Sequence, residues 1–250
     1  MQKQLFFTIF TKKIYSTMDT LLNMIVNPVK TFNQLKTEEK FPVTALIILL
    51  TLILINLILN VPIGVKTGEL VLSGMAMPEA QIDMAIQITH KFRYLTMLGG
   101  FVIYVIMLFV YPLILFVIAL IFTVRIDYSK ALRLIIYCFI VLAIGDLVNT
   151  TLVYFRGIDN IESIYDVMLT GTNLLTSVEN AGVALYLFLS YINPFQIGFV
   201  VLLIIGFKVF TDSGWSKSVI VCMIYWLIVT LFPVITTYFS QAAMANKGLI

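Results

Sequence analysis

The sequence predicts an all-α fold: a polytopic membrane helical bundle of about five transmembrane helices, with amphipathic helices lying in the interface. Two observations carry this. Of the 250 residues, 60% are hydrophobic and 12% are charged, whereas an ordinary soluble domain carries roughly 25% charge. The apolar residues also arrive in long blocks, without the period of two or 3.6 that marks a half-buried strand or a surface helix. Blocks of about eighteen or more read as membrane spans. One bundle takes most of the chain, leaving no room for a separate soluble domain. The parts are a cytoplasmic tail and amphipathic interfacial helix over 1–40, a five-span domain over 41–240, and a C-terminal tail over 241–250.

In chain order, residues 1–17 read as an uninformative tail. The apolar run 5–10 after Lys3 mimics a signal peptide, but it is short, and Lys12-Lys13 stand where a cleavage site should be. Met18 could serve as the natural start. Over 19–40, Leu21, Ile25, Val29, Phe32 and Leu35 recur at helical spacing with Lys30, Asn33, Gln34 and Lys36 between them. That is an amphipathic helix suited to the membrane interface. Asn27-Pro28 marks a helix start, Asn as cap and Pro in the first turn, so Pro28, Phe32 and Leu35 define the interfacial helix.

The first span covers 42–63 and closes at Asn60-Val61-Pro62 and Gly64. The second covers 95–123. At 1.5 Å per residue it is about 44 Å long, against a hydrocarbon core of about 30 Å, so it must tilt, project or bend at Pro112. The third covers 131–155. A short interfacial helix over 184–191 is interrupted by Asn193-Pro194, where the fourth span, 194–210, begins. The fifth covers 218–239, with a kink expected at Pro233. Residues 64–94 form a long outer loop with a helix opened by Pro78, carrying Glu79, Asp83 and Gln87 on its polar side. The other outer loop, 156–183, is acidic, and the cytoplasmic loops near 124–130 and 209–217 are short.

Orientation follows from the basic residues. A cytoplasmic N-terminus puts Lys3, Lys12, Lys13, Lys30, Lys36, Lys40, Arg125, Lys130, Arg133, Lys208 and Lys217 inside. It leaves Lys66, Lys91, Arg93, Arg156 and Lys247 outside. Eleven against five is the direction of the positive-inside rule, and five spans then place the C-terminus outside. The formal net charge of +3 is too small to imply nucleic-acid binding.

Asp146 is the most informative polar residue. It sits mid-span in Ile144-Gly145-Asp146-Leu147-Val148, where a carboxylate costs about 2.5–3.5 kcal/mol on insertion scales. A partner, a water-filled cavity or protonation should offset that cost. Asn149 shares its helix face, and Asn56 and Asn60, four apart on the first span, make a second polar face. The four residues are candidates for one intramembrane polar site; the competing reading is interhelical hydrogen bonding that fixes packing.

Other residues read as structural. Glu79, Asp83 and His90 could share one helix face, which is a loose arrangement for a metal and more naturally a solvated surface. Gly99-Gly100 would let helices approach closely, Tyr104 and Tyr111 would pack, and Cys138 and Cys222 would act as small hydrophobes. Asn149-Thr150-Thr151 spells a glycosylation acceptor but lies inside a span. There is no phosphate-binding Gly-rich loop, no His-Glu-x-x-His, and no Gly-x-Ser-x-Gly, and the one histidine lies outside the spans. The chain is not expected to be an enzyme, and it calls for no cofactor and no metal.

Several segments, in this order, resemble the YIP (Ypt/Rab-interacting protein) family of integral membrane proteins, in its bacterial branch. They are Asn27-Pro28-Val29-Lys30-Thr31-Phe32-Asn33-Gln34-Leu35 as the amphipathic lead-in, and Asp127-Tyr128-Ser129-Lys130-Ala131-Leu132-Arg133-Leu134-Ile135-Ile136-Tyr137 as the short loop and entry of the third span. Asn193-Pro194-Phe195-Gln196-Ile197 resembles the start of the fourth, and Gly214-Trp215-Ser216-Lys217-Ser218 the turn before the last. The family often has a proline in the third span; here Tyr137-Cys138 is followed by Ile144-Gly145-Asp146. The resemblance implies five spans and a cytoplasmic N-terminus. Eukaryotic relatives bind Rab-type GTPases in vesicle traffic. The expected function is a non-enzymatic scaffold or adaptor in a bacterial inner membrane, partnered by the lipid bilayer and by another membrane protein or a second copy. The alternative is a small transporter or permease subunit using the polar site around Asp146.

Overall fold

A computed structural model describes residues 2–38, 40–75 and 78–246, with side chains described over 11–38, 40–75 and 78–239. Residues 247–250 of the expected C-terminal tail, Lys247 among them, and the side chains of run 5–10 lie outside the described residues. The helices are α1 (Gln2–Val26), α2 (Pro28–Thr37), α3 (Val43–Ser73), α4 (Glu79–Ile121) and α5 (Tyr128–Arg156). They continue with α6 (Val178–Ala181), α7 (Val183–Ser190), α8 (Pro194–Thr211) and α9 (Trp215–Asn246). Two short 3₁₀ turns, Ile158–Asn160 and Thr172–Leu175, lie between α5 and α6, and no strand occurs among the described residues. Five of these helices, α3, α4, α5, α8 and α9, are long and apolar enough to cross a bilayer. The fold is an all-α polytopic membrane bundle.

The helix starts follow local chemistry. Asn27 Oδ1 accepts the Lys30 N–H at 3.3 Å, with Pro28 in the first turn. Asn193 Oδ1 accepts the N–H groups of Phe195 and Gln196 at 3.0 and 2.9 Å, directly before α8. In both places an Asn side chain satisfies donors that the first helical turn leaves without a partner.

The outer ends of α3 and α4 differ from expectation. The first span was expected to close near residue 63, followed by a long loop. Instead α3 runs through Pro62 and Gly64 to Ser73, and α4 starts at Glu79. At 1.5 Å per residue α4 is about 65 Å long, so its first turns project well past a bilayer core. The loop shrinks to a few residues, and the two extensions are tied by His90 Nε2 and Glu69 Oε1 at 2.7 Å. Pro62 leaves the Ile58 carbonyl without its helical donor, and the adjacent Leu59 carbonyl accepts the Tyr154 hydroxyl at 2.7 Å, which ties α3 to α5 at this point.

By compactness the chain divides into two units. Unit 1 comprises residues 1–51, 107–141 and 198–226; unit 2 comprises 52–106, 142–197 and 227–250. In the first, Phe32, Leu134, Leu203, Phe207 and Tyr225 are fully buried. Phe139 lies between Tyr111 and Phe199, with ring centroids at 5.0 and 5.4 Å. Cys138 and Cys222 are free and fully buried there. In the second, Ile63, Val153 and Ile161 form a core flanked by Leu70, Val167 and Leu169. The most buried span is α5, with 61% of its apolar stretch covered against 11% in α3.

The close helix approaches fall elsewhere than Gly99-Gly100. A Cβ on Gly99 would meet nothing within 4 Å, and one on Gly100 would meet only Leu57 at 3.8 Å. Around them Leu95, Leu98, Val102 and Ile103 are exposed, as a lipid-facing surface requires. The tight places are Gly206, whose Cβ would lie 2.4 Å from Leu134 and 2.9 Å from the Phe32 ring, and Gly145, 2.5 Å from Phe195.

Candidate functional site

In unit 2 the segment between α5 and α8 folds back along α5. Asn149 holds it: its Nδ2 donates to the Val167 carbonyl and its Oδ1 accepts the Leu169 N–H, both at 2.8 Å. Asn149 lies seven residues inside the end of α5, about 10 Å at the helical rise. Non-helical backbone at that depth is viable only where protein covers it or water reaches it. The buried Asn173 donates to the Met168 carbonyl at 3.0 Å, and the Thr172 N–H donates to the Ile192 carbonyl at 3.0 Å. Gly171 meets the Ser190 backbone so closely that a Cβ would fall 2.6 Å from it.

This packing leaves a recess of about 200 Å³ lined by Asp146, Asn149, Gly171, Ser190, Asn193 and Gln196, among others. Asp146 is exposed on its wall. Among the described residues the ion pairs use Asp212, Glu69, Asp127 and Asp166, and none engages Asp146. Arg156, the basic residue at the end of α5, is paired with Asp166 at 3.4 Å. The recess can therefore hold a cation, a proton or water against the Asp146 carboxylate.

Asn56 and Asn60 go to another partner. Asn60 Nδ2 donates to Asn56 Oδ1 and to Thr150 Oγ1 at 2.9 Å each, and the Thr150 hydroxyl donates to Asn56 Oδ1 at 2.7 Å. The three side chains hydrogen-bond one another and tie α3 to α5. The structure thus groups Asp146 with Asn149, and Asn56 with Asn60 and Thr150. Thr150 carried no signal in the sequence, since a threonine in a span usually bonds back to its own helix.

In unit 1, α2, the helix the sequence predicts to be interfacial, is fastened to the protein by its apolar face. Phe32 and Leu35 of α2 are buried, Phe32 against Gly206 and edge-on to Phe210 at 6.2 Å. Arg133, in the second turn of α5 and only 5% exposed, closes the arrangement. Its Nη1 donates to the carbonyls of Leu35, at 2.7 Å, and Glu38, and its Nη2 donates to the Lys40 carbonyl at 2.9 Å. The last carbonyls of a helix lack internal partners and carry partial negative charge, so a guanidinium there satisfies both. In the sequence Arg133 reads only as one of the inside cations. The available signal was its position: a single charge among Ala131, Leu132, Leu134 and Ile135.

His90, considered above with Glu79 and Asp83, pairs with Glu69 instead, and no group of three or more His, Cys, Asp or Glu comes together among the described residues. A family model described as the Yip1 domain matches residues 22–237. No curated protein and no solved structure matches the chain.

Proposed function

The chain belongs to the Yip1-domain family of integral membrane proteins, and from that premise we propose that it is a non-enzymatic membrane adaptor that binds another membrane protein. The observation that carries this reading is the clasp on α2. Burial of Phe32 and Leu35 and the Arg133 cap fix a polar, non-spanning helix in one orientation. Its other face, with Val29, Lys30, Asn33 and Gln34 exposed, is thereby presented as a preorganised surface, which lowers the ordering cost of binding. The test is gentle purification of the tagged protein with quantitation of what accompanies it. A near-equimolar membrane-protein partner is expected, and the pair Val29→Glu with Asn33→Glu should reduce its recovery at unchanged protein level. Wild-type protein that emerges alone would overturn the reading.

We further propose a cytoplasmic N-terminus and an outer C-terminus in a bacterial inner membrane. The eleven basic residues assigned to the inside are the same eleven that fall in unit 1. The Asp146 recess supports a second reading, a small transporter or permease subunit. Asp146→Asn should then abolish uptake by reconstituted protein that remains folded, whereas an adaptor should keep its partner.

A further inference from the structure

We propose that the loops joining α4 to α5 and α8 to α9 form a binding site for a phosphate group, of the kind carried by an anionic phospholipid headgroup. The site is a recess of about 380 Å³ in unit 1, lined by Thr123, Arg125, Thr211, Ser213, Trp215 and Lys217, among others. At about 30 Å³ per water, it has room for a phosphate and part of its hydration shell.

The recess is electropositive with its cations uncommitted. Arg125 and Lys217 are exposed, and among the described residues neither has a carboxylate partner. The neighbouring acids are already taken: Asp127 by Lys130 at 3.2 Å, and Asp212 by Lys36 at 2.5 Å. The first hydrogen bond of α9 is donated by the Ser218 N–H to the Gly214 carbonyl at 3.1 Å. The N–H groups of Trp215, Ser216 and Lys217 therefore precede it, at a helix end that favours anions. Two cationic side chains and a helix N-terminus converging on one cavity make a phosphate site in a way that a helix end alone does not.

Its position matches the lipid headgroup level. Both loops join consecutive spans, and Trp215, 51% exposed with Lys208 Nζ 4.2 Å above its ring, is the residue type that collects at that level. The unit as a whole attracts anions: unit 1 has eleven basic and five acidic residues, unit 2 five and eight. Basic pockets at the ends of membrane helices bind acidic headgroups for this reason. The site does not depend on which side of the membrane these loops face.

The test uses full-length protein with Trp226→Phe, so that Trp215 alone reports. Nanodiscs of phosphatidylcholine receive increasing phosphatidylglycerol, while a second series in pure phosphatidylcholine receives inorganic phosphate. A saturable Trp215 emission shift with phosphatidylglycerol is expected. Arg125→Gln with Lys217→Gln should weaken it about tenfold or more, the scale of two basic residues at an anionic surface. The control pair Lys12→Gln with Lys13→Gln, of equal charge loss, should leave it unchanged, and Arg125→Lys with Lys217→Arg should restore most of it. Saturation by inorganic phosphate without lipid preference would keep the phosphate site and assign it a soluble ligand. No saturable response to either probe, or equal loss in the control pair, would overturn the proposal.

Discussion

Arg133 shows how a single side chain can set the position of an element. Its guanidinium reaches three backbone carbonyls at and just past the end of α2, and hydrogen bonds to charged groups contribute about 1.5–3 kcal/mol. Arg133→Leu should therefore lower the unfolding midpoint in detergent and raise protease cleavage after α2. Arg133→Lys should fall between, because a point charge cannot fork across three acceptors. A wild-type melting curve for Arg133→Leu would mean that the burial of Phe32 and Leu35 suffices. At this scale the sequence was legible where a residue was out of place by chemistry. Asp146 stood out because a carboxylate in a span is costly. Arg133 did not, because a basic residue near a span end is ordinary, and its task depends on which carbonyls the fold brings to it. Thr150 was hidden for the same reason, since only the return of α3 makes it the third member of the Asn56 and Asn60 group.

Elements were legible at their starts and less so in their lengths. The starts of α2 and α8 rest on Asn-Pro pairs whose cap bonds involve neighbours in the chain. The extents of α3 and α4 were less legible: past residue 63 the sequence turns more polar, yet both helices continue, with Glu69 of one against His90 of the other. The sites of close helix approach were hidden likewise, because a glycine pair says nothing of what lies opposite. Gly206 supplies the contrast that tests this. Gly206→Ala should place a methyl into Leu134 and Phe32, an overpacking that costs about 1–3 kcal/mol, and should loosen α2. Gly99→Ala, with open space around it, should be neutral or stabilise its helix by up to about 1 kcal/mol. Comparing the two melting temperatures checks the assignment; equal losses would refute it.

For the whole molecule the distribution of charge matters more than its sum. A net +3 conceals eleven basic and five acidic residues in unit 1 against five and eight in unit 2. Hydrophobic blocks alone predicted five spans, but they are indifferent to direction; the charges break that symmetry, because basic segments resist translocation. The proposed orientation puts Lys12 inside and Asp159, between α5 and α8, outside; both are exposed. The native thiols suit a labelling test, since Cys138 and Cys222 are both fully buried and should react slowly. In intact cells Asp159→Cys should therefore react with a membrane-impermeant maleimide, and Lys12→Cys should react only after the membrane is opened. The reverse pattern would invert the chain, moving the α2 surface and the Arg125 recess to the outer face, where an adaptor would have to find its partner.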